Sequence, residues 1–394
     1  MEGLREKLEQ RKATGGYRSL KNIDELEAEA CCGGSEFINL SSNDYLSLGN
    51  RLDLRQEFLE ILGPENFRMC SSSSRLLTGN TNEYEELEKL LCELYCSEAA
   101  LVTGSGYHAN SGILPAISDT ETLILADKLI HASLIDGVML SKGKTIRYRH
   151  NDYDQLERLV ETNYQSYRSL IIVTESIFSM DGDEADLERL VKLKKRYPNI
   201  VLYIDEAHAV GLRGKSGLGC CEESGCQKEI DIIVGTFGKA LASTGAFVIC
   251  NRVMYEYLVN TMRTLIFTTA LPPVNLAWTS FILKKIPALE QERKHVAHIS
   301  AILHEYIRNA GLPVISTSHI IPIIIGSNQV AVQIAEELQR EGFYIMPIRP
   351  PAVPEGSARL RISLCADNSV GQIRKLIHKL KELHSHETSV LNQK

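Results

Sequence analysis

The stretch Ile200-Val201-Leu202-Tyr203-Ile204-Asp205-Glu206-Ala207-His208 sets the reading of the whole chain. Its first five residues form an unbroken apolar run that stops abruptly at an acid. A run of that length without polar alternation is a strand covered on both faces, the kind found in parallel sheets flanked by helices. Similar runs occur at Ala99–Val102, Thr122–Leu125, Ser169–Thr174, Asp231–Val234 and Ala246–Ile249. Between them lie helix-period segments. One at 83–96 carries Leu87, Leu90, Leu91 and Leu94; another carries Leu187, Leu190, Val191 and Leu193 and ends near Tyr197-Pro198. Strand and amphipathic helix in alternation predict an α/β fold with a mostly parallel sheet covered by helices.

In such sheets ligands bind beyond the carboxyl ends of the strands. Polar clusters fall at those ends: Ser105-Gly106-Tyr107-His108, Asp127, Glu175-Ser176, Asp205 to His208, and Thr236-Phe237-Gly238-Lys239. An acid, a histidine and one lysine at neighbouring strand ends suit pyridoxal phosphate. The lysine forms the Schiff base and the acid pairs with the ring nitrogen, which makes the ring an electron sink. Backbone N–H groups at Ser105-Gly106-Tyr107, with the Thr236 hydroxyl, are candidate phosphate donors.

Further along, a helical stretch follows Pro272-Pro273. After it, strands at Ile320–Ile325 and Arg359–Leu364 mix with helices at Gln329–Glu341 and Val370–Leu383. The expected organisation is an N-terminal helix and arm (1–45), a large α/β domain (46–285), a small C-terminal α+β domain (286–384) and a flexible polar tail (385–394). The only low-complexity stretch is Ser71 to Ser74.

Composition narrows the function. The 394 residues are 44% apolar and 24% charged, which excludes a disordered or collagen-like chain, and the net charge of -7 gives no general attraction for nucleic acid or an anionic membrane. The charged start, Met1-Glu2-Gly3-Leu4-Arg5-Glu6-Lys7, is not that of a signal peptide, and the apolar runs fall short of the roughly 18 residues a membrane span needs. A cytoplasmic enzyme is expected. The ten cysteines include no C-x-x-C pair, so no zinc or other metal site is expected; the Cys31-Cys32 and Cys220-Cys221 pairs read as small apolar thiols.

Two other readings arise. Asp205-Glu206-Ala207-His208 spells the acidic box of DEAH-type ATPases, and Gly214-Lys215-Ser216 lies nearby. A phosphate-binding P-loop needs a glycine where Ala209 stands, and it precedes the acidic box. Pro351-Ala352-Val353-Pro354 matches the P-x-x-P pattern of an interaction module, but its apolar setting reads as a rigid turn.

Taken together, the motifs resemble the α-oxoamine synthases, a branch of the fold-type I pyridoxal-phosphate enzymes. The matching phrases are Leu40-Ser41-Ser42-Asn43-Asp44-Tyr45-Leu46, Asp127 to Ser133, Phe178-Ser179-Met180-Asp181-Gly182-Asp183, Asp205 to His208, Thr236 to Lys239, and Arg349-Pro350-Pro351 leading to Ala358-Arg359-Leu360-Arg361. They run in family order to about residue 384. The resemblance implies a homodimer with shared active sites that joins an amino acid to an acyl thioester, on coenzyme A or a carrier protein, with loss of carbon dioxide. The R-P-P-x-V-P turn and the Phe178–Asp183 phrase lean toward L-alanine and a pimeloyl thioester, the condensation of biotin synthesis. Sister enzymes use glycine or serine with other acyl groups.

Carried over residue by residue, the resemblance makes Lys239 the Schiff-base lysine and proton carrier. It makes Asp205 the partner of the ring nitrogen and stacks His131 on the ring face. His208 and Ser179 hold the phenolic oxygen and its surroundings; Gly106, Tyr107 and Thr236 hold the phosphate, joined by Thr268 or Thr269 of a second subunit. Arg361, with Asn43, clamps the amino-acid carboxylate, and Arg18 takes the far carboxylate of a pimeloyl chain. Three positions depart from the family pattern: Cys70 to Ser74 replace a glycine-rich loop before Arg75, Tyr84 replaces a histidine, and Ala352 replaces a threonine associated with substrate contact.

Overall fold

The apolar run 200–205 is an interior strand of a seven-stranded sheet. In the computed structural model, which describes residues 1–20, 23–26, 29–32 and 35–391, the strands are β1 (Ala99–Thr103), β2 (Thr122–Asp127), β3 (Lys144–Tyr148), β4 (Ser169–Glu175), β5 (Ile200–Asp205), β6 (Ile232–Thr236) and β7 (Ala246–Cys250). They lie in the order β1-β7-β6-β5-β4-β2-β3. All neighbours are parallel except β7, which runs antiparallel to both β1 and β6. Because β7 is reversed, its first residue Ala246 lies level with the last residues of β1 and β6, Thr103 and Thr236. The carboxyl ends of β1 and β6 and the start of β7 therefore gather at one end of the sheet.

Helices cover the sheet for reasons visible in the sequence. Asp152 and Asp186 each precede an amphipathic helix and accept the N–H three residues on, from Gln155 and Arg189. Leu187, Leu190, Val191 and Leu193 are the buried face of the second of these helices. Three further helices bear on the site: α1 (Asn82–Tyr95), α2 (Gly106–Ile117) and α3 (Ala132–Leu140). The last two meet closely, since a Cβ at Gly137 of α3 would fall 2.3 Å from the Asn110 carbonyl oxygen of α2. Ile113, Leu114, Ile124, Leu134, Ile171, Tyr203 and Val248 fill the core between helices and sheet. Each such large apolar side chain contributes about 1.5–3 kcal/mol on burial.

The exposed edge of β1 is covered without another strand. Glu88 of α1 accepts the Val102 N–H at 2.8 Å, and Arg75 donates to the Val102 carbonyl at 2.9 Å and to Glu88 at 2.6 Å. The pair closes off an edge that could otherwise recruit a foreign strand.

Contacts divide the chain into one unit of residues 51–178 and 184–293 and another of 1–50, 179–183 and 294–394. This division differs from the expected limits at 45/46 and 285/286. Arg293 donates to the carbonyls of Ile286 (2.7 Å) and Lys215 (2.9 Å), which ties the segment after residue 285 to the larger unit. The N-terminal residues belong to the smaller unit because strand Ser35–Asn39 pairs in parallel with Phe343–Tyr344. There, Ile320–Gly326, Ala358–Ser363 and Pro347–Ile348 form an antiparallel sheet around Leu40, Ile299, Leu303, Ile321, Leu360, Ile362 and Ile373. The final helix runs Val370–Leu391, through most of the expected tail, whose last three residues lie outside the described residues.

Glu88→Ala leaves the Arg75 charge buried and the Val102 N–H without its acceptor. Loss of one member of a buried pair costs about 3–5 kcal/mol. The expected outcome is a clear fall in the midpoint of urea unfolding, with Glu88→Gln, which keeps an acceptor oxygen, falling less.

Candidate active site

Asp205 ends β5 almost fully buried, and two donors hold its carboxylate. The Ala207 N–H reaches Oδ1 at 2.9 Å, and Asn110 Nδ2 reaches Oδ2 at 2.7 Å. Lys239, just past the end of β6, places Nζ 2.9 Å from Nε2 of the buried His208. His131 is the N-cap of α3. Its backbone N–H donates to Glu175 at the end of β4, and its Nδ1 accepts the Ser133 N–H at 3.3 Å while lying 2.8 Å from Ser133 Oγ. Burial holds the His131 imidazole below its ordinary pKa; the Asp205 charge opposes that shift and the Lys239 charge adds to it. The two charges thus act on one imidazole, so acid, lysine and histidine share one site.

A helix terminus and a threonine hydroxyl lie side by side just past the ends of β1 and β6. Ser105 caps α2 by accepting the His108 N–H at 3.1 Å, which leaves the first turn of a twelve-residue helix beginning at Gly106. A Cβ at Gly106 would lie 3.9 Å from Cβ of Thr236, so helix terminus and hydroxyl are neighbours. Thr236 Oγ1 accepts the Gly238 N–H at 3.2 Å and lies 3.1 Å from the Gly245 carbonyl. Tyr107 is half exposed, with its hydroxyl bonded to Asp136. Thr268 and Thr269 follow the short helix Arg263–Ile266 outside any strand; the first is half-buried and the second exposed.

The smaller unit holds a second cluster. Arg361 is buried on strand Ala358–Ser363 and donates to the Ser179 carbonyl (2.7 Å), Ser363 Oγ (2.7 Å), Asn43 Oδ1 (3.3 Å) and Tyr45 Oη (3.4 Å). All are neutral oxygens. Tyr45 stays protonated, its pKa pushed up to about 12 by burial against the opposing Arg361 charge. Arg359, two residues earlier on the same face, pairs with Asp181. Arg18 donates to the carbonyls of Pro350 (3.0 Å) and Arg349 (3.4 Å), again neutral groups. Ala352 lies in the turn, its N–H on the Arg349 carbonyl at 3.2 Å.

The departures from the family pattern have structural partners. Tyr84 is buried, with its hydroxyl accepting the Leu271 N–H at 2.7 Å and the Arg75 guanidinium 4.0 Å from its ring centre. Ser71 and Ser73 tie the serine-rich segment to the same stretch, through the Leu271 carbonyl (2.6 Å) and the Ala270 N–H (2.9 Å). The P-loop reading fails on geometry. The amides of Ser216 and Leu218 already donate to the Glu222 carboxylate at 2.9 and 3.0 Å, where a phosphate would have to sit. Among the described residues, no helix is long and apolar enough to cross a membrane, and no three His, Cys, Asp or Glu side chains are placed to hold a metal.

These donors fit pyridoxal phosphate: an amine for its aldehyde, a buried acid for its ring nitrogen, an imidazole beside both, and a helix terminus with a hydroxyl for its phosphate. Comparison with known proteins agrees. Residues 35–380 match the aminotransferase class I and II family. The chain is 52% identical over 371 residues to a protein of Glaesserella parasuis provisionally named 8-amino-7-oxononanoate synthase, covering 94% of this chain and 97% of that one. Its fold is similar to serine palmitoyltransferase from S. paucimobilis solved with a pyridoxal-phosphate adduct of myriocin (TM-score 0.88, 27% identity, 95% of each chain). It is also similar to the 8-amino-7-oxononanoate synthase of Francisella tularensis (TM-score 0.76, 27% identity, 89% of this chain and 99% of that one). The chain belongs to the aminotransferase class I and II family, as a pyridoxal-phosphate-dependent acyltransferase of the α-oxoamine synthase type.

Sequence reasoning gave no role to Asn110, Ser133 or Tyr203, and placed Glu175 only among the polar strand ends. Tyr203 was within reach, because it lies two residues before Asp205 on a strand and so shares its face. Glu206, beside Asp205, serves the structure. It is fully buried and accepts the amides of Cys220 (2.9 Å) and Cys221 (3.3 Å); burial raises its pKa to about 7, against those hydrogen bonds. The folded protein therefore holds this proton more tightly than the unfolded chain, whose carboxyl titrates near 4.5. The stabilisation is complete below that value and is lost as pH rises through about 7. The loss is on the order of 3 kcal/mol. In Glu206→Gln, the difference in unfolding midpoint between mildly acidic and mildly alkaline buffer should shrink.

Proposed function

We propose that the enzyme condenses L-alanine with a pimeloyl thioester to give 8-amino-7-oxononanoate, the free thiol and carbon dioxide, as a cytoplasmic homodimer serving biotin synthesis. A bond forms between the alanine Cα and the acyl carbon. The acyl carbon–sulfur bond breaks and the thiol leaves, while the original carboxylate departs as carbon dioxide. Pyridoxal phosphate, when bound, supplies the electron sink for the carbanion at Cα.

In this reading Lys239 holds the cofactor and carries the Cα proton, and Asp205 holds the charge on the ring nitrogen. His131 packs on the ring face, and His208 and Ser179 order the surroundings of the phenolic oxygen. Gly106, Tyr107 and Thr236 receive the phosphate, with Thr268 or Thr269 offered by the partner subunit. The exposure of Thr269 supports that last role. Arg361, oriented by Asn43, takes the amino-acid carboxylate.

The observation that carries the reading is the state of the two arginines. A buried guanidinium surrounded only by neutral oxygens is costly unless an anion joins it. Among the described residues Arg361 has that surrounding, whereas Arg359 already has its acid. Arg18, bonded to the Arg349 and Pro350 carbonyls, offers a second cation for the far carboxylate of a dicarboxylic acyl chain. The similarity to serine palmitoyltransferase keeps a serine- or glycine-using relative as the second reading. Steady-state assays with alanine, glycine and serine separate them: alanine should give the highest kcat/KM with pimeloyl-CoA, and a preference for serine or glycine would overturn the first reading.

Arg18→Ala should raise KM for pimeloyl-CoA about tenfold to a hundredfold, the range for one charge-assisted hydrogen-bond pair. A monocarboxylic acyl-CoA of similar length should be nearly unaffected; equal losses would remove Arg18 from the acyl site. Borohydride reduction of the loaded enzyme, followed by peptide mass spectrometry, should find the pyridoxyl group on Lys239 and none in Lys239→Ala.

A further inference from the structure

Asp205 and His131 carry opposite tasks at the cofactor, yet one buried amide joins them. Asn110 is 1% exposed. Its Nδ2 donates to Asp205 Oδ2 at 2.7 Å and to Ser133 Oγ at 2.9 Å, while its Oδ1 accepts the Tyr203 hydroxyl at 2.7 Å. The Asp205 carboxylate can only accept, so Asn110 must turn its nitrogen toward it, and the Tyr203 phenol, held protonated by burial and by the nearby Asp205 charge, donates to the amide oxygen. That fixes which end of the Asn110 amide is oxygen, and the nitrogen must face the carboxylate and Ser133.

The chain of hydrogen bonds continues with a definite polarity. Ser133 Oγ accepts from Asn110, so its own proton is available for His131 Nδ1 at 2.8 Å. The Ser133 backbone N–H points to the same nitrogen at 3.3 Å. Facing two donors, Nδ1 must be an acceptor, and the neutral imidazole carries its proton on Nε2. The close approach of α2 and α3 at Gly137 holds both ends of the chain in register, because a side chain there would strike the Asn110 carbonyl oxygen. Asn110 reaches neither substrate nor reacting atoms in any role assigned above.

We propose that Asn110 and Ser133 are positioning residues that bind Asp205 and His131 into a single hydrogen-bonded unit, setting the rotation of the carboxylate and the tautomer of the imidazole for pyridoxal phosphate; the inference rests on the cofactor roles given to Asp205 and His131. A carboxylate turned by Asn110 presents its remaining lone pairs in one fixed direction. Without that donor it can rotate or draw in water, and its hold on a ring-nitrogen proton weakens. Without the Ser133 hydroxyl, His131 keeps one weaker donor on Nδ1 and its preference between tautomers weakens.

The test compares wild type with Asn110→Ala, Ser133→Ala and Ser133→Thr. Three quantities are read: the pyridoxal-phosphate Kd, the spectroscopic pH titration of the bound cofactor, and the His131 tautomer by nitrogen-15 NMR of cofactor-free protein. Wild type should show the Nε2–H tautomer. Asn110→Ala should weaken cofactor binding about tenfold to a hundredfold, the consequence of losing one hydrogen bond to a charged group, and should displace the cofactor's titration. Ser133→Ala should mix the tautomers, and Ser133→Thr, which restores the hydroxyl, should recover the wild-type signal. A general loss of packing would not be rescued in that pattern.

Unchanged Kd and titration in a folded Asn110→Ala, or an Nδ1–H tautomer in wild type, would overturn the proposal. If Asn110→Ala fails to fold, the two Ser133 variants decide it. Wild-type protein that binds no pyridoxal phosphate contradicts the cofactor roles themselves; the tautomer measurement, made without cofactor, still judges the hydrogen-bond chain separately.

Discussion

A carboxylate at the end of a buried strand has lost most of its water and must find donors in the protein. Asp205 is such a group, and much of the site follows from how its two oxygens are supplied. One donor is a backbone amide two residues on, which a loop leaving a strand provides at little cost. The other is the Asn110 amide, which requires a helix to begin at Gly106 and to lie close against the helix that His131 caps. The helix that carries Asn110 also begins beside Thr236, since a Cβ at Gly106 would lie 3.9 Å from Cβ of that threonine. One helix thereby bears on both the Asp205 carboxylate and the end of β6.

The two arginines of the Ala358–Arg361 phrase show how context assigns roles that sequence alone leaves equal. They alternate on one face of one strand and are both buried. Arg359 is neutralised by Asp181, which makes the Phe178–Asp183 phrase partly structural. Arg361 is surrounded by carbonyl, hydroxyl and amide oxygens, an environment that orients a cation without neutralising it. Strand ends elsewhere divide in the same way. Asp127 is engaged by His150 and by the amides of Leu129 and Asn151, and Glu175 by the His131 amide, so both shape loops.

Much of this was legible in the sequence, and the rest was hidden for identifiable reasons. The apolar runs located six of the seven strands of the large sheet, because strands buried on both faces leave an uninterrupted signature. Strand β3, Lys144–Tyr148, sits at the sheet edge with mostly exposed or half-buried residues and left no such trace. The reversal of β7 was invisible for the opposite reason, since a covered strand reads the same in either direction. The grouping of Asp205, His208 and Lys239 followed from the rule that strand ends converge, and His131 entered through the family resemblance. Asn110 lay beyond that rule: it stands on α2, its partners come from β5 and α3, and only the packing of α2 on α3 at Gly137 brings them together.

The central claim is that the fixed Asp205 carboxylate keeps the pyridine nitrogen of the cofactor protonated. Nitrogen-15 NMR of enzyme loaded with ring-labelled pyridoxal phosphate observes that proton directly. The account predicts a pyridinium shift that persists to alkaline pH in wild type and moves to the neutral pyridine position in Asp205→Asn. A neutral ring nitrogen in the wild-type enzyme near pH 7 would contradict it.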